Sequence, residues 1–476
     1  MANEIYHRSN WGNAVNDIAW GDTYEKFDAT NEMFVRSDNY ENSNETDKLM
    51  AAINPKPSIL LTPTAYDNGS LHSVKPVLSP FADFDFTRGT IATRVNEQGL
   101  IEEVTDTNLP RIDYTDGTGS LLLEPQSTNT ATYSNDFTQG DIFNSSSNPS
   151  VGNSVLTANQ ATSPDGTNNA WLLQDNNNGG TGSSQLNLNS VNVTSNDFNI
   201  ISIFVKKALT NNFLRLQTLN YDSSGSGSSW FNISNGTLGT IDSNHTAKIE
   251  DYGNGWYRCQ ITFKTTTDTT GAVRITLASS DNNANVTRDG TNGLYLFGLQ
   301  CEASATQNFA TSYIPTSGST VTRLKDVCDN SGSSDLISST EGVLYLEVAA
   351  LTSINNFQSI SLSDGTNQNN IRFILGNVLN RASFQVKVGN TSQVFKNIDT
   401  TDITDFNKIA FKYKENDFAA WLNGVEVATD TSGTVPTVNQ LLFTNGGAFN
   451  NFEGKVKSVA VYKEALTDAQ LTALTT

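Results

Sequence analysis

Few residues of this 476-residue chain carry a charge. Asp, Glu, Lys and Arg make up 16% of it, against about 25% in ordinary soluble proteins. Basic residues are the scarcest: 29 Lys and Arg face 49 Asp and Glu, a net charge of −20. That deficit excludes a nucleic-acid binder, whose affinity comes from cations on phosphates. Composition also argues against a long helical bundle, which would be richer in Ala, Glu, Lys, Leu and Arg. No run of about 18 apolar residues occurs, so no membrane span is expected. Residues 1–30 lack the basic start and apolar stretch of a signal peptide. Histidine is limited to His7, His72 and His245, too few and too scattered to suggest Ser/His/Asp chemistry. Cys259, Cys301 and Cys328 are an odd number without metal-ligand spacing. They read as reduced, buried thiols, with a Cys259–Cys301 bridge left open if their strands are adjacent.

What is abundant is uncharged polarity. Asn and Thr together form roughly a quarter of the chain, beside 34 Gly, the composition of a turn-rich surface. At about 150 residues per domain the length suggests about three domains. Residues 1–80 read as an anchoring arm and linker. Trp11, Trp20, Met33 and Met50 lie in the arm. Ser43 to Ile53 has helical spacing, stopped at Asn54-Pro55. Pro55, Pro57, Pro63, Pro76 and Pro80 then mark an extended segment rather than a core. Residues 81–125 read as a short β connector, with strands at Ala92–Val95 and Leu100–Val104 around a turn.

Residues 126–325 and 326–476 both read as antiparallel β-sandwiches. Phe213–Leu219 alternates with period two. Ile200–Val205, Trp230–Ile233, Trp256–Phe263, Ala272–Leu277 and Leu294–Leu299 follow the same style, separated by Asn/Gly/Asp/Ser turns. The last region offers Val343–Val348, Ile371–Leu375, Ser383–Val388, Lys408–Tyr413 and Val456–Tyr462. A hairpin is expected through Asn423-Gly424, a turn pair between apolar runs. Leu466–Leu471 should be a short helix with Thr467 as N-cap and Gln470 completing a capping box.

The middle region carries an ordered set of motifs: Thr132-Tyr133-Ser134-Asn135-Asp136-Phe137, Pro164-Asp165-Gly166-Thr167, Gly253-Asn254-Gly255-Trp256-Tyr257-Arg258-Cys259, Gly293 to Glu302, and Thr311 to Arg323. In this order they resemble the carbohydrate-binding-module-like jelly roll of bacteriophage tail fibres and other virion adhesins. Cys301 and Phe297 depart from that pattern, where an aliphatic residue and Trp are usual. Asp85 to Val95, through Leu121-Leu122-Leu123-Glu124-Pro125, is similar to the segment that precedes this module. The C-terminal region resembles a concanavalin A-like or laminin-G-like lectin sandwich, through Ala420 to Val427, Phe452 to Tyr462 and Ala465 to Leu471.

The fold class expected is all-β: two antiparallel β-sandwiches, jelly roll then concanavalin A-like, behind an extended N-terminal arm. The resemblance implies a structural virion protein of a tailed bacteriophage, a tail or head fibre contacting host surface glycans. It implies a homo-oligomer, commonly a trimer, displayed on the virion exterior after synthesis in the host cytoplasm. Other virion proteins would hold the arm, with neither nucleic acid nor membrane as a partner. A non-binding decoration or connector protein is the alternative, and a glycan depolymerase a third reading. The paired carboxylates of a glycoside hydrolase are not apparent, so no enzyme is expected. Trp230 and Tyr221, flanking the loop from Asp222 to Ser229, are carbohydrate-stacking candidates, as are Phe449 and Asn450 in the last domain. No cofactor is expected beyond a possible structural Ca²⁺, for which Asp326 and Asp364 are the weak ligand candidates.

Overall fold

Fourteen non-glycine residues adopt positive φ among the described residues, and all of them are asparagine. Its short polar side chain tolerates the left-handed region better than other L-residues do. The asparagine excess thus marks where the chain turns: Asn423 (φ 46°) and Gly424 (φ 84°) close the expected hairpin between Phe418–Leu422 and Val425–Asp430. In this computed structural model the described residues are 24–28, 33–36, 56–67, 70–74, 84–139, 153–353, 357–376, 378–447 and 449–476. Their regular elements are all strands apart from one short helix. The helix expected at 43–53, and most of the arm, lie outside them.

The chain divides into two compact units. The middle unit comprises Gly89–Thr107 and Pro125–Lys325. Its six-stranded sheet runs in the order Ser154–Ala161, Ala170–Asp175, Gly293–Ser304, Phe198–Lys207, Trp256–Phe263, Thr246–Asp251. A five-stranded sheet runs Gln185–Asn192, Thr270–Ala278, Phe213–Leu219, Gly227–Asn232, Thr237–Leu238. The paired strands are antiparallel, and Ile203, Val205, Ile261 and Phe263 share one core with Leu214, Leu216, Phe231 and Ile275. On the opposite side of the six-stranded sheet, Phe204, Trp256, Phe297 and Tyr313 form a second cluster with Ile101. Cys259 and Cys301 are free and buried, and the strand Phe198–Lys207 lies between theirs, so the open disulfide does not form.

The C-terminal unit contains the described residues up to Arg88, with Asn108–Glu124 and Asp326–Thr476. A nine-stranded sheet includes Val425–Asp430, Phe418–Leu422, Asn407–Lys414, Glu341–Ala350, Gly454–Tyr462 and Ile59–Asp67. A five-stranded sheet runs Thr391–Asp399, Arg381–Val388, Asn370–Leu375, Gln358–Ser363, Gln440–Leu442. Leu344, Leu346, Val348 and Phe411 meet Ile360, Phe373, Phe384 and Leu441 in the core between them. The helix Asp468–Thr475 covers the other face of the large sheet, where Leu471 and Leu474 pack with Tyr345, Trp421 and Tyr462. Its N-cap is Thr467, with the capping box to Gln470 formed.

Two segments depart from the expected organisation. The stretch read as linker contains Ile59-Leu60-Leu61, which is buried and pairs with Val461, Ala460 and Val459. Three consecutive apolar residues between prolines outweigh the proline signal, because both faces of this strand are covered. The 81–125 connector is divided: Gly89–Thr107 belongs to the middle unit, while Asn108–Glu124 joins the C-terminal unit. There Ser120–Leu123 pairs with Gly454–Tyr462.

Candidate ligand-binding face

In the C-terminal unit, alternation along the five-stranded sheet sends Ile371, Phe373, Phe384, Val386 and Val394 into the core and their neighbours to the opposite face. Register then aligns one row across four strands: Ser361 opposite Arg372, Arg372 opposite Gln385, Gln385 opposite Phe395. The Arg372 guanidinium donates to Gln385 Oε1 (2.8 Å) and to Asn367 Oδ1 (3.0 Å). Gln385 Nε2 donates to Ser392 Oγ (3.2 Å). Lys387 lies opposite Asn370 in the next row. Neither Arg372 nor Lys387 forms an ion pair among the described residues. Burial lowers the Arg372 pKa; burial, then the charge of Arg372, lowers that of Lys387. Phe395 stands at the end of the row, 45% exposed. The face thus offers a fixed planar cation, amide donors and acceptors and an open aromatic edge, a set suited to hydroxylated rings.

Two loops border it. Asp364 anchors the first as an Asx turn. Its Oδ1 accepts from Thr366 N–H (2.9 Å) and Thr366 Oγ1–H (2.6 Å), and its Oδ2 from Asn369 Nδ2 (2.8 Å). The second, 443–451, lies along the strand Gln358–Ser363: Ser361 Oγ donates to Thr444 O (2.8 Å) and Ser359 N–H to Asn450 O (2.9 Å). The loops meet at Gly446 (φ +91°), where a Cβ would stand 2.5 Å from Thr366 O. Phe449 projects from the second loop with 72% of its surface exposed, and Asn450 turns the chain at φ 55°.

The other sequence candidates fare differently. Tyr221 is buried, tilted against Phe263, with its hydroxyl donating to Val191 O (3.0 Å). Trp230 is 8% exposed. Neither presents a free ring face for stacking; the loop that flanks them folds back instead of opening, through Ser226 Oγ–H to Tyr221 O (3.0 Å). Asp326 is not placed for a cation, since both its carboxylate oxygens receive buried guanidinium groups, from Arg88 and Arg111. Asp364 spends its oxygens within its own turn. Among the described residues, no group of three or more His, Cys, Asp and Glu is placed to hold a metal. Ser229 and His245 are hydrogen-bonded (2.9 Å), but Ser229 is fully buried. Arg372, Gln385, Lys387 and Phe395 were not singled out in the sequence. For Gln385, Lys387 and Phe395 the alternation along their own strands shows only that they face away from the core; their placement relative to Arg372 comes from register.

Residues 349–472 match the family model of the concanavalin A-like lectin/glucanases superfamily. The C-terminal unit is hence a lectin-like domain, and the face just described lies within the matched residues. None of the curated proteins matches the chain. Among solved structures, it is similar to the CBM40 of the Ruminococcus gnavus IT-sialidase bound to α2,3-sialyllactose, at 19% identity and TM-score 0.26, over 29% of this chain and 84% of that one. It is similar to domain 4 of AbnA, an extracellular arabinanase of Geobacillus stearothermophilus in complex with arabinotriose, at 16% identity and TM-score 0.26, over 36% and 84%. The LG4-5 domains of the mouse laminin α1 chain align over 60% of this chain and 92% of theirs, at 10% identity and TM-score 0.21. Among the described residues no helix is long and apolar enough to cross a membrane.

Proposed function

We propose that this chain is a non-enzymatic, glycan-binding structural protein of a bacteriophage virion, and that the row Arg372–Gln385–Phe395 is a sugar-contacting face. The observation that carries the binding reading is the position of that face inside the lectin-like domain. There a partly desolvated guanidinium and an exposed ring flank Gln385 in one row, the guanidinium without a carboxylate partner among the described residues. The virion role rests on the ordered motifs of the middle region and their resemblance to phage adhesins. On this reading the protein is a homo-oligomer, a trimer, at the particle exterior, held by other virion proteins. Each site binds weakly, and linked sites raise avidity by about 10²–10⁴.

The test is the purified full chain on an array of bacterial surface glycans, with Arg372→Gln and Phe395→Ala beside it. Binding that each substitution weakens about tenfold, without loss of melting temperature, is expected. Binding unaffected by both would remove this face from the function. Failure to compete with adsorption of the parent phage would favour the decoration or connector reading.

A further inference from the structure

The middle unit carries a second polar sheet face, and its charges are arranged differently. Along Phe213–Leu219, Leu214 and Leu216 enter the core, while Arg215 and Gln217 face the other way. Register sets Arg215 opposite Thr276 and Trp230, and Gln217 opposite Arg274 and Ser228. Arg274 in turn lies opposite Asn187. Arg215 and Arg274 are therefore diagonal neighbours, within reach of one another for side chains of this length.

Like charges within reach of one another repel, and burial, then the charge of Arg274, lowers the Arg215 pKa. The chain has a large surplus of carboxylates. Neither arginine is ion-paired to one among the described residues. Arg215 spends one Nη2 hydrogen bond on Thr276 Oγ1 (3.2 Å), while its Nε is buried with no partner in the chain. The indole Nε1 of Trp230, directly across from Arg215, is a second buried donor without one. Gln217 Oε1 is a buried acceptor without one. Buried polar atoms cost about 1–3 kcal/mol each when unpaired, so three at neighbouring positions of one sheet face, two on one strand and one across from it, are an arrangement that awaits a ligand.

We infer that this face binds a carboxylate-bearing sugar residue, its acid group between Arg215 and Arg274. A guanidinium fork matches a carboxylate. The Gln217 oxygen needs a donor, which a sugar hydroxyl provides and an inorganic oxyanion does not. Asn187, Gln217, Ser228 and Thr276 are uncharged partners for the remaining hydroxyls. Trp230 contributes its N–H rather than its ring face.

The experiment uses the full chain carrying both Arg372→Gln and Phe395→Ala, each of which weakens the lectin-like face, so this inference and the preceding reading fail separately. Probes are oligogalacturonates, glucuronate-containing oligosaccharides and sialyl oligosaccharides, each beside its methyl ester, read by calorimetry. Expected are binding of at least one acid, loss on esterification, and at least about tenfold weakening by Arg274→Gln as well as by raised salt. Arg274 is half-buried and makes no ion pair, so its replacement leaves folding intact; circular dichroism confirms it. Three results overturn the inference: no acidic probe bound, ester and acid bound equally, or Arg274→Gln without effect. Inorganic sulfate competing as well as the sugar acid would reduce the face to a generic anion site and overturn it too.

Discussion

Arg111 and Asp326 lie 215 positions apart in the chain and form an ion pair in which both side chains are fully buried. Glu124 completes the charge on Arg111 (2.8 Å), and Arg88 adds a second guanidinium to Asp326 (3.3 Å). Burial pulls the Arg111 pKa down, but the charges of Asp326 and Glu124 outweigh it and raise it. Three of these residues stand where the chain leaves or re-enters the lectin-like unit: Arg88, Glu124 and Asp326. The backbones of the last two also bond, Asp326 N–H to Glu124 O (3.0 Å), while Glu124 N–H donates to Asp326 Oδ2 (2.9 Å). A domain assembled from separated segments is thus clamped at its breaks.

Asp326→Ala should cost the lectin-like unit about 3–5 kcal/mol, because it removes the carboxylate that two buried guanidinium groups share and leaves Glu124 alone to balance Arg111. Urea unfolding followed by hydrogen exchange in Glu341–Ala350 measures this. A loss below about 1 kcal/mol, the worth of a surface pair, would show that the cluster is not the clamp.

Thr467→Ala should destabilise the same unit by about 0.5–2 kcal/mol. It removes the cap of the helix whose Leu471 and Leu474 seal Tyr345, Trp421 and Tyr462 from water. Thermal unfolding reads the change, and Thr467→Ser, which keeps the hydroxyl, should restore most of it.

Local signals were the most legible. Phe213–Leu219, Trp256–Phe263 and Phe418–Leu422 have the bounds that their alternation and turns imply, and the Thr467 cap sits where its spacing puts it. Long-range pairing was not legible. Ile59-Leu60-Leu61 looks like a proline-bounded linker until the last long strand, some 400 residues on (|i−j| = 403 for Ser58 and Val461), pairs with it. The same limit hid both polar faces. Arg372 and Gln385, or Arg215 and Arg274, become neighbours only through register, and single residues within alternating strands carry no mark of the row they join. Tyr221 and Trp230 misled because an aromatic beside a Ser/Gly loop has the same sequence whether the loop opens or folds over it.

All three cysteines should be inert in the native protein. Cys259, Cys301 and Cys328 are buried, and burial pushes the Cys301 thiol up to about 12 and the other two well above the usual range. The thiolate is the reactive species. Titration with a thiol reagent at pH 8 should therefore find no reactive cysteine before denaturation and three after it. A thiol that reacts promptly in the native state would contradict this burial.

The middle unit should lose stability in mild acid through His245. This ring has one hydroxyl on each nitrogen: Thr218 Oγ1 at Nε2 (2.8 Å) and Ser229 Oγ at Nδ1 (2.9 Å). Thr218 has a single proton and gives it to Gly225 O (2.6 Å), so Nε2–H must donate to Thr218 and Nδ1 must accept from Ser229. A second proton on Nδ1 would break the Ser229 bond and bury a charge. Burial accordingly lowers the pKa from 6.5 to about 4, with the charge of Asp242 opposing it. Above pH 6.5 neither state is protonated and the neutral ring contributes in full. Between pH 6.5 and about 4 the unfolded chain takes up a proton that the folded one refuses, so stability falls as pH drops, by about 3 kcal/mol in total. His245→Gln lacks this titration. The gap in unfolding free energy between wild type and variant should narrow by that amount from pH 7 to pH 4, measured by urea unfolding at each pH. A gap that stays constant would mean that His245 titrates normally and is not sealed in the core.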